Sequence, residues 1–210
     1  MIKAVIFDLD GTLIDTNDLI IDTFYHAVHQ CLGRMPTEEE LHHVYGKVLD
    51  EQMGYFSQER RQELVEAYKN YYRTHMDEKT HLFEGVIELL DALAARGILM
   101  ATVTNKGARG VRHAFEKFDL GKYFTASVSA DDVVSGKPDP EGILMSLDHL
   151  GVAPEEALFV GDSFNDIAAA KGAGVRSVLV DWTLFHENHY AAFGADAVIK
   201  HPMDLVALVE

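Results

Sequence analysis

The stretch Lys3-Ala4-Val5-Ile6-Phe7-Asp8-Leu9-Asp10-Gly11-Thr12-Leu13 decides how this chain folds. Its first half is a short apolar run rich in β-branched residues, the pattern of a strand buried on both faces of a parallel sheet. Its second half sets two carboxylates two residues apart at the tip of that strand. Two anions crowded at a buried strand end are costly to keep ionised together. A divalent cation bound by their oxygens offsets the cost. Gly11 lets the backbone make a close turn there. The segment therefore predicts both a parallel sheet and a catalytic site at its edge.

Outward from this strand the pattern changes twice. Residues 16–32 carry Leu19, Ile20, Thr23, Phe24, Ala27 and Val28 at helical spacing, and Gly33 and Pro36 end the run. Thr37 is placed as an N-cap, with Glu40 completing a capping box. Gly54 predicts a further interruption, and Ser57 is placed to cap a third helix bearing Leu64, Tyr68, Tyr71 and Tyr72. Residues 16–82 thus read as all-helical. After Phe83-Glu84-Gly85 strands and helices alternate. Strands are expected at 98–103, 123–129, 157–160, 177–180 and 196–199. Helices are expected at 86–96, 107–118, 140–150 and 165–173, with a short one before Asp196 and a last one from Pro202. This alternation implies an α/β fold, a doubly wound parallel sheet covered on both faces. The first strand belongs to the same sheet. The expected organisation is therefore a core of residues 1–15 and 83–210, with residues 16–82 as an inserted all-helical domain.

Composition narrows the function. Hydrophobic residues are 48 % of the 210 and charged residues 25 %, enough apolar material for a sizeable core. The formal net charge of −16 disfavours nucleic acid and anionic membranes as partners. An anion site on such a chain must be built locally, from a metal, lysines and backbone amides. Cys31 is the single cysteine, which rules out an intrachain disulfide and fits a reducing compartment. The N-terminus shows no signal-peptide pattern, and no apolar run approaches the roughly 20 residues that span a bilayer. A soluble, cytoplasmic protein, monomer or homodimer, is expected.

In a doubly wound sheet the ligand sits beyond the carboxyl ends of the strands. The residues expected there are Asp8, Asp10 and Thr12; then Thr104 and Asn105; then Lys137; then Gly161, Asp162, Ser163 and Asp166. Four strand ends supply a carboxylate pair, a hydroxyl, a lysine and a second carboxylate group. Each part has a use in phosphoryl transfer. Hard oxygen ligands such as Asp8 and Asp162 suit Mg²⁺. Asp8 can attack phosphorus to form an aspartyl-phosphate, and Asp10 can pass a proton to the leaving oxygen and later take one from water. Thr104, read as opening a helix, and Asn105 beside it can hold phosphate oxygens. Lys137 offers positive charge to the transferring group.

These four motifs, in this order, resemble those of the haloacid dehalogenase superfamily. The resemblance spans almost the whole chain. It implies Asp8 as nucleophile, Asp10 as general acid/base and Mg²⁺ held by Asp8, Asp162 and the Asp10 carbonyl, with Asp166 and Ser163 in support. It also implies that the helical insertion is a cap, placed as in phosphoglycolate phosphatases, β-phosphoglucomutases and a bacillary-type pyrophosphatase. Asp10 sets the chain apart from the dehalogenase branch, which lacks that aspartate. Gly11-Thr12-Leu13-Ile14-Asp15-Thr16-Asn17, Phe83-Glu84-Gly85-Val86 and Trp182-Thr183 are similar to the pyrophosphatase related to phosphoglycolate phosphatase. The expected substrate is a small phosphorylated metabolite, phosphoglycolate-like, with pyrophosphate as the alternative. A sugar-phosphate mutase and a non-catalytic binding module are the further readings. For a second phosphate, Lys47, Lys106 and Arg109 are the candidate cations.

Plainer readings stand beside these. Asp162 and Asp166 could simply cap a helix, and Thr104 likewise. Cys31 reads as a buried small apolar residue. His42-His43 and the His186/His189 pair read as solvated surface more readily than as metal ligands. Trp182 reads equally as core or as a wall of the substrate entrance.

Overall fold

The computed structural model describes residues 1–182 and 193–210. Its centre is β1 (Ala4–Phe7), hydrogen-bonded between β4 (Leu99–Val103) and β6 (Ala157–Gly161), both parallel to it. Beyond β4 lies β5 (Ala126–Val128), and beyond β6 lie β7 (Arg176–Val180) and β8 (Ala197–Ile199). The order is β5-β4-β1-β6-β7-β8, all parallel. The chain leaves β1 toward one side and returns past it to the other, so the topological switch lies at the carboxyl end of β1.

The period-two pattern of β1 explains its burial. Val5 and Phe7 join one apolar cluster, with Leu158, Val160, Val178 and Val180 from the neighbouring strands. Ala4 and Ile6 join the other, with Ala101, Val103, Ala157 and Phe159. On the first face pack α5 (Val86–Ala95) and α6 (Ala108–Phe118), through Leu89, Leu90, Leu93, Val111 and Ala114. On the second pack α7 (Glu141–Leu150) and α8 (Phe164–Gly172), through Ile143, Leu147, Ala169 and Ala170. A strand apolar on every position is thus sandwiched, not half-solvated.

The helical stretch is α1 (Asn17–Leu32), α2 (Glu38–Val44), α3 (Leu49–Phe56) and α4 (Arg61–Lys79). These helices enclose their own apolar cluster, centred on Phe24, Val28, Met53, Leu64 and Tyr68. Gly33 ends α1 in the left-handed conformation, and Thr37 with Glu40 forms the expected capping box. The break expected at Gly54 is absent, because Gly54 is buried inside α3. The interruption comes earlier, at Tyr45–Val48, where Gly46 takes a φ of +74°. Ser57 follows α3, and its Oγ accepts from Arg60 N just before α4 begins. Where 16–82 read as wholly helical, the final pair is extended. β3 (His81–Leu82) runs antiparallel to β2 (Ile14–Asp15), so the two ends of the helical stretch meet in a short ribbon.

Smaller differences follow from local geometry. β5 covers three residues of the expected 123–129. From Pro202 a 3₁₀ turn precedes α9 (Val206–Val209). The short helix expected before Asp196, with His186 and His189, lies largely outside the described residues. Among the described residues no helix is long and apolar enough to cross a membrane.

Candidate active site

The floor of the site is the turn after β1. Asp8 is buried there, with its Oδ1 turned to Lys137. Lys137 Nζ stands 2.7 Å from that oxygen as an ion pair. Gly11 holds a φ of +80°, and a Cβ on it would collide with the Asp162 carboxylate. Asp162 therefore reaches across the turn into the space that only glycine leaves open.

The Asp162–Asp166 segment is built by helix capping. Ser163 is the N-cap of α8, and its hydroxyl accepts from Asp166 N. Asp166 folds back, and its Oδ2 accepts from Ser163 N at 2.9 Å, Ser163 Oγ at 2.6 Å and Asp162 N at 3.2 Å. A Cβ on Gly161 would collide with this returning side chain. The other Asp166 oxygen accepts from Lys137 Nζ at 2.6 Å. The capping reading of Asp166 and its place in the site are thus one arrangement. Both Asp166 oxygens are committed to donors, and Asp8 meets the same Lys137 ammonium as an ion pair.

One oxygen from each of Asp8, Asp162 and Asp166 lies within 4.8 Å of the others. Burial raises the Asp8 carboxyl to about 7, against the lowering influence of Lys137. The Lys137 ammonium is held above its ordinary range by Asp166 and Asp8, which outweigh its desolvation. Three buried carboxylates share one buried lysine, so the cluster holds excess negative charge. A hard divalent cation suits that excess.

The remaining expected residues fall around this floor. Thr104 follows β4, its N–H bonded to Val128 O and its hydroxyl accepting from Lys106 N at 3.2 Å. It does not open a helix: α6 starts at Ala108 with Gly107 as its cap. Asn105 lines the cavity, but its side-chain amide spans backbone groups. Nδ2 donates to Gly46 O and Lys137 O, and Oδ1 accepts from Lys137 N. It thereby fastens the loop after α2 to the lysine loop.

Asp10 is the residue whose partner sequence reasoning missed. Lys106 Nζ donates to both Asp10 oxygens, at 2.8 and 2.7 Å, and to Tyr72 OH of α4 at 2.6 Å. Lys106 was expected as a phosphate cation, and its bond to Tyr72 ties the carboxylate to the helical stretch. The signal was present as adjacent polar residues Thr104-Asn105-Lys106 after a strand, but a 96-residue separation hid the pairing. Tyr45, from the turn between α2 and α3, also lines the cavity. Burial, then the negative charge of Asp162, Asp10 and Asp8, raises its phenol well above the ordinary value. Trp182 resolves toward the core: Nε1 donates to Thr12 O at 3.1 Å, and the ring packs on Phe83. Cys31 is buried in α1, as expected.

These groups open into a cavity of about 760 Å³ between the sheet edge and α4. Lys47 and Arg109 line it with Lys106. A profile of the haloacid dehalogenase-like hydrolase family matches residues 5–180. The chain belongs to that family. Within it, pyrophosphatase PpaX of Bacillus velezensis is 35% identical over 206 residues, which is 98% of this chain and 95% of that protein. Among solved structures, a predicted phosphoglycolate phosphatase from Haemophilus somnus superposes with a TM-score of 0.89 at 24% identity, covering 100% of this chain and 98% of that one. A haloacid dehalogenase-like family hydrolase from Streptococcus pneumoniae superposes at 0.86 and 23% identity, covering 100% and 99%. These two likenesses are of fold. The expected membership and the expected α/β core both hold.

Proposed function

We propose that this haloacid dehalogenase-like hydrolase is a Mg²⁺-dependent phosphohydrolase of small phosphorylated compounds that works through an aspartyl-phosphate on Asp8. The observation that carries this is the buried Asp8 carboxylate, paired with Lys137 and lying beside Asp162 at the floor of the cavity. Asp8, Asp162 and the Asp10 carbonyl would hold the metal, with Asp166 and Ser163 fixing Asp162 and Lys137. Bound there, the metal would neutralise charge between the attacking carboxylate and the phosphate.

The residues divide the chemistry. An Asp8 oxygen bonds phosphorus as the bond to the leaving oxygen breaks, and Asp10 protonates that oxygen. Water then attacks phosphorus, Asp10 takes its proton, and phosphate leaves with Asp8 restored. Lys137 neutralises charge on the transferring group and Thr104 offers its hydroxyl. Residues 16–82 act as the cap and 1–15 with 83–210 as the core. The cap closes over the phosphoryl group and excludes water. Thr16 and Leu82–Gly85 are its hinges, beside the β2–β3 ribbon.

Phosphoglycolate and pyrophosphate both carry a second anionic group, and Lys47 and Arg109 in the cavity suit one. The pyrophosphate reading is favoured by the similarity over nearly the whole chain to a protein named for that activity. Phosphate release with Mg²⁺ from pyrophosphate, 2-phosphoglycolate, a hexose phosphate and an aryl phosphate separates the readings. Turnover of pyrophosphate or phosphoglycolate well above the hexose phosphate is expected, with loss on chelation. A well-folded sample that releases phosphate from none of the four contradicts the proposal and supports a binding module.

A further inference from the structure

The cations of this acidic chain are unevenly used. Seven of the chain's 18 Lys and Arg side chains line the cavity, against six of its 34 Asp and Glu. Outside it, each described Lys or Arg meets a carboxylate or a backbone carbonyl: for example Lys3 with Glu156, Lys117 with Thr80 O and Arg176 with Leu208 O. Lys106 and Lys137 serve Asp10 and Asp8. The cavity's other cations are spent differently. Lys69 and Arg73 sit one turn apart on α4, and Arg109 and Arg112 lie on α6. The side chains of Lys69, Arg109 and Arg112 have neither ion pair nor hydrogen bond among the described residues. Arg73 meets only its own helix, Lys69 O and the amide of Asn70.

Four cations from two different elements, without carboxylate partners in a chain of net charge −16, face one cleft. All four are exposed, together with the lining acids Glu66, Glu116 and Asp131 that they outnumber, whereas Asp8, Lys137 and Asp162 are buried, so they form the mouth of the cavity beyond its phosphoryl floor. Like charges on opposite walls repel, and an anion between them reverses the sign of that interaction. A cavity of about 760 Å³ also exceeds what a single phosphoryl group fills.

We infer that Lys69 and Arg73 of α4 with Arg109 and Arg112 of α6 form a distal anion subsite that takes the far phosphates of a linear polyphosphate, of tripolyphosphate length or longer, whose terminal phosphoryl group lies on Asp8. This rests on the phosphohydrolase reading and sets its specificity. A linear polyphosphate suits a mouth of exposed cations better than a nucleotide does, because a base needs an aromatic platform and the aromatic residues Tyr45, Tyr68 and Tyr72 lie deeper, largely shielded from solvent. An anion bridging α4 and α6 would also draw the two walls together.

The test compares wild type with two double variants, Lys69→Ala/Arg109→Ala and Arg73→Ala/Arg112→Ala, on Mg²⁺ complexes of tripolyphosphate, pyrophosphate and an aryl phosphate. The replaced side chains are exposed, and two independent pairs guard against a local folding defect. The expected result is a higher kcat/KM for tripolyphosphate than for pyrophosphate in wild type. In each double variant the tripolyphosphate value should fall about tenfold further than the aryl phosphate value, the scale of two lost ion pairs. An equal fall on all three substrates would mean long-range steering only and would overturn the subsite. So would an unchanged preference, or a KM for a nucleoside triphosphate below that for tripolyphosphate. Wild type inactive on all three would instead overturn the phosphohydrolase reading itself.

Discussion

Lys137 is the residue on which the buried charges balance. Its ammonium is 2.6 Å from Asp166 and 2.7 Å from Asp8, with almost no solvent contact. Removing one partner of a buried ion pair leaves an uncompensated charge, at a cost of roughly 3 kcal/mol or more. Lys137→Met should therefore lower stability by about that amount in a denaturant titration, besides lowering turnover. Asp8 behaves in the opposite sense. Its carboxyl is raised to about 7 by burial, above its ordinary 3.8. Between those values the native state keeps a proton that the unfolded chain has lost, so the Asp8 contribution to the stability of the metal-free protein is full below about pH 4. That contribution is lost as pH rises to about 7. Divalent-metal affinity, read by thermal shift with Mg²⁺, should rise across the same window as Asp8 ionises. Asp8→Asn should abolish this dependence and the activity while the melting temperature without metal stays as high as wild type. At this scale Asp8, Asp162 and Lys137 were legible because strand-end carboxylates and a lysine after a strand have few other uses. The Asp10–Lys106–Tyr72 link was not, because it joins three distant segments through side-chain directions that no spacing encodes.

At the scale of elements, Gly11 decides what the turn after β1 can hold. Gly11→Ala would force a side chain into φ +80° and against the Asp162 carboxylate. The strain costs on the order of 1 kcal/mol or more, and the displaced carboxylate should weaken Mg²⁺ binding by more than that stability loss explains. Isothermal titration with the metal checks it. Capping was readable at Thr37–Glu40, and at α8 Asp166 was read as a cap while the N-cap itself is Ser163. It failed at Gly54, where tertiary packing inside α3 overrides a weak propensity. The β2–β3 ribbon was hidden because two residues carry no period. It joins the two ends of the helical stretch, and Asn105 clamps the same stretch to the lysine loop through Gly46 O. Asn105→Ala should loosen that clamp and change kcat and KM together, which steady-state kinetics at saturating Mg²⁺ resolves.

For the whole molecule, charge and chemistry are separated in space. The chain carries −16 overall, yet its catalytic cavity holds cations from both the sheet edge and α4. A negative surface repels anionic substrates until they reach that mouth, where lining cations outnumber lining acids by seven to six. kcat/KM for pyrophosphate should therefore depend on ionic strength, because salt screens both the repulsion and the local attraction. The continuous apolar run of β1 and the alternation of strands and helices after residue 85 made the sheet readable. Which cations gather at the mouth depends on how α4 lies against α6, a long-range packing outcome. The account stands on Asp8 as the atom that receives phosphorus. Acid quenching of a single turnover with Mg²⁺ and pyrophosphate, followed by mass spectrometry of the peptide containing Asp8, tests it most directly. A transient phosphoryl group on Asp8, absent in Asp8→Asn, is the predicted result; phosphate formed at full rate with Asp8 unmodified throughout would contradict it.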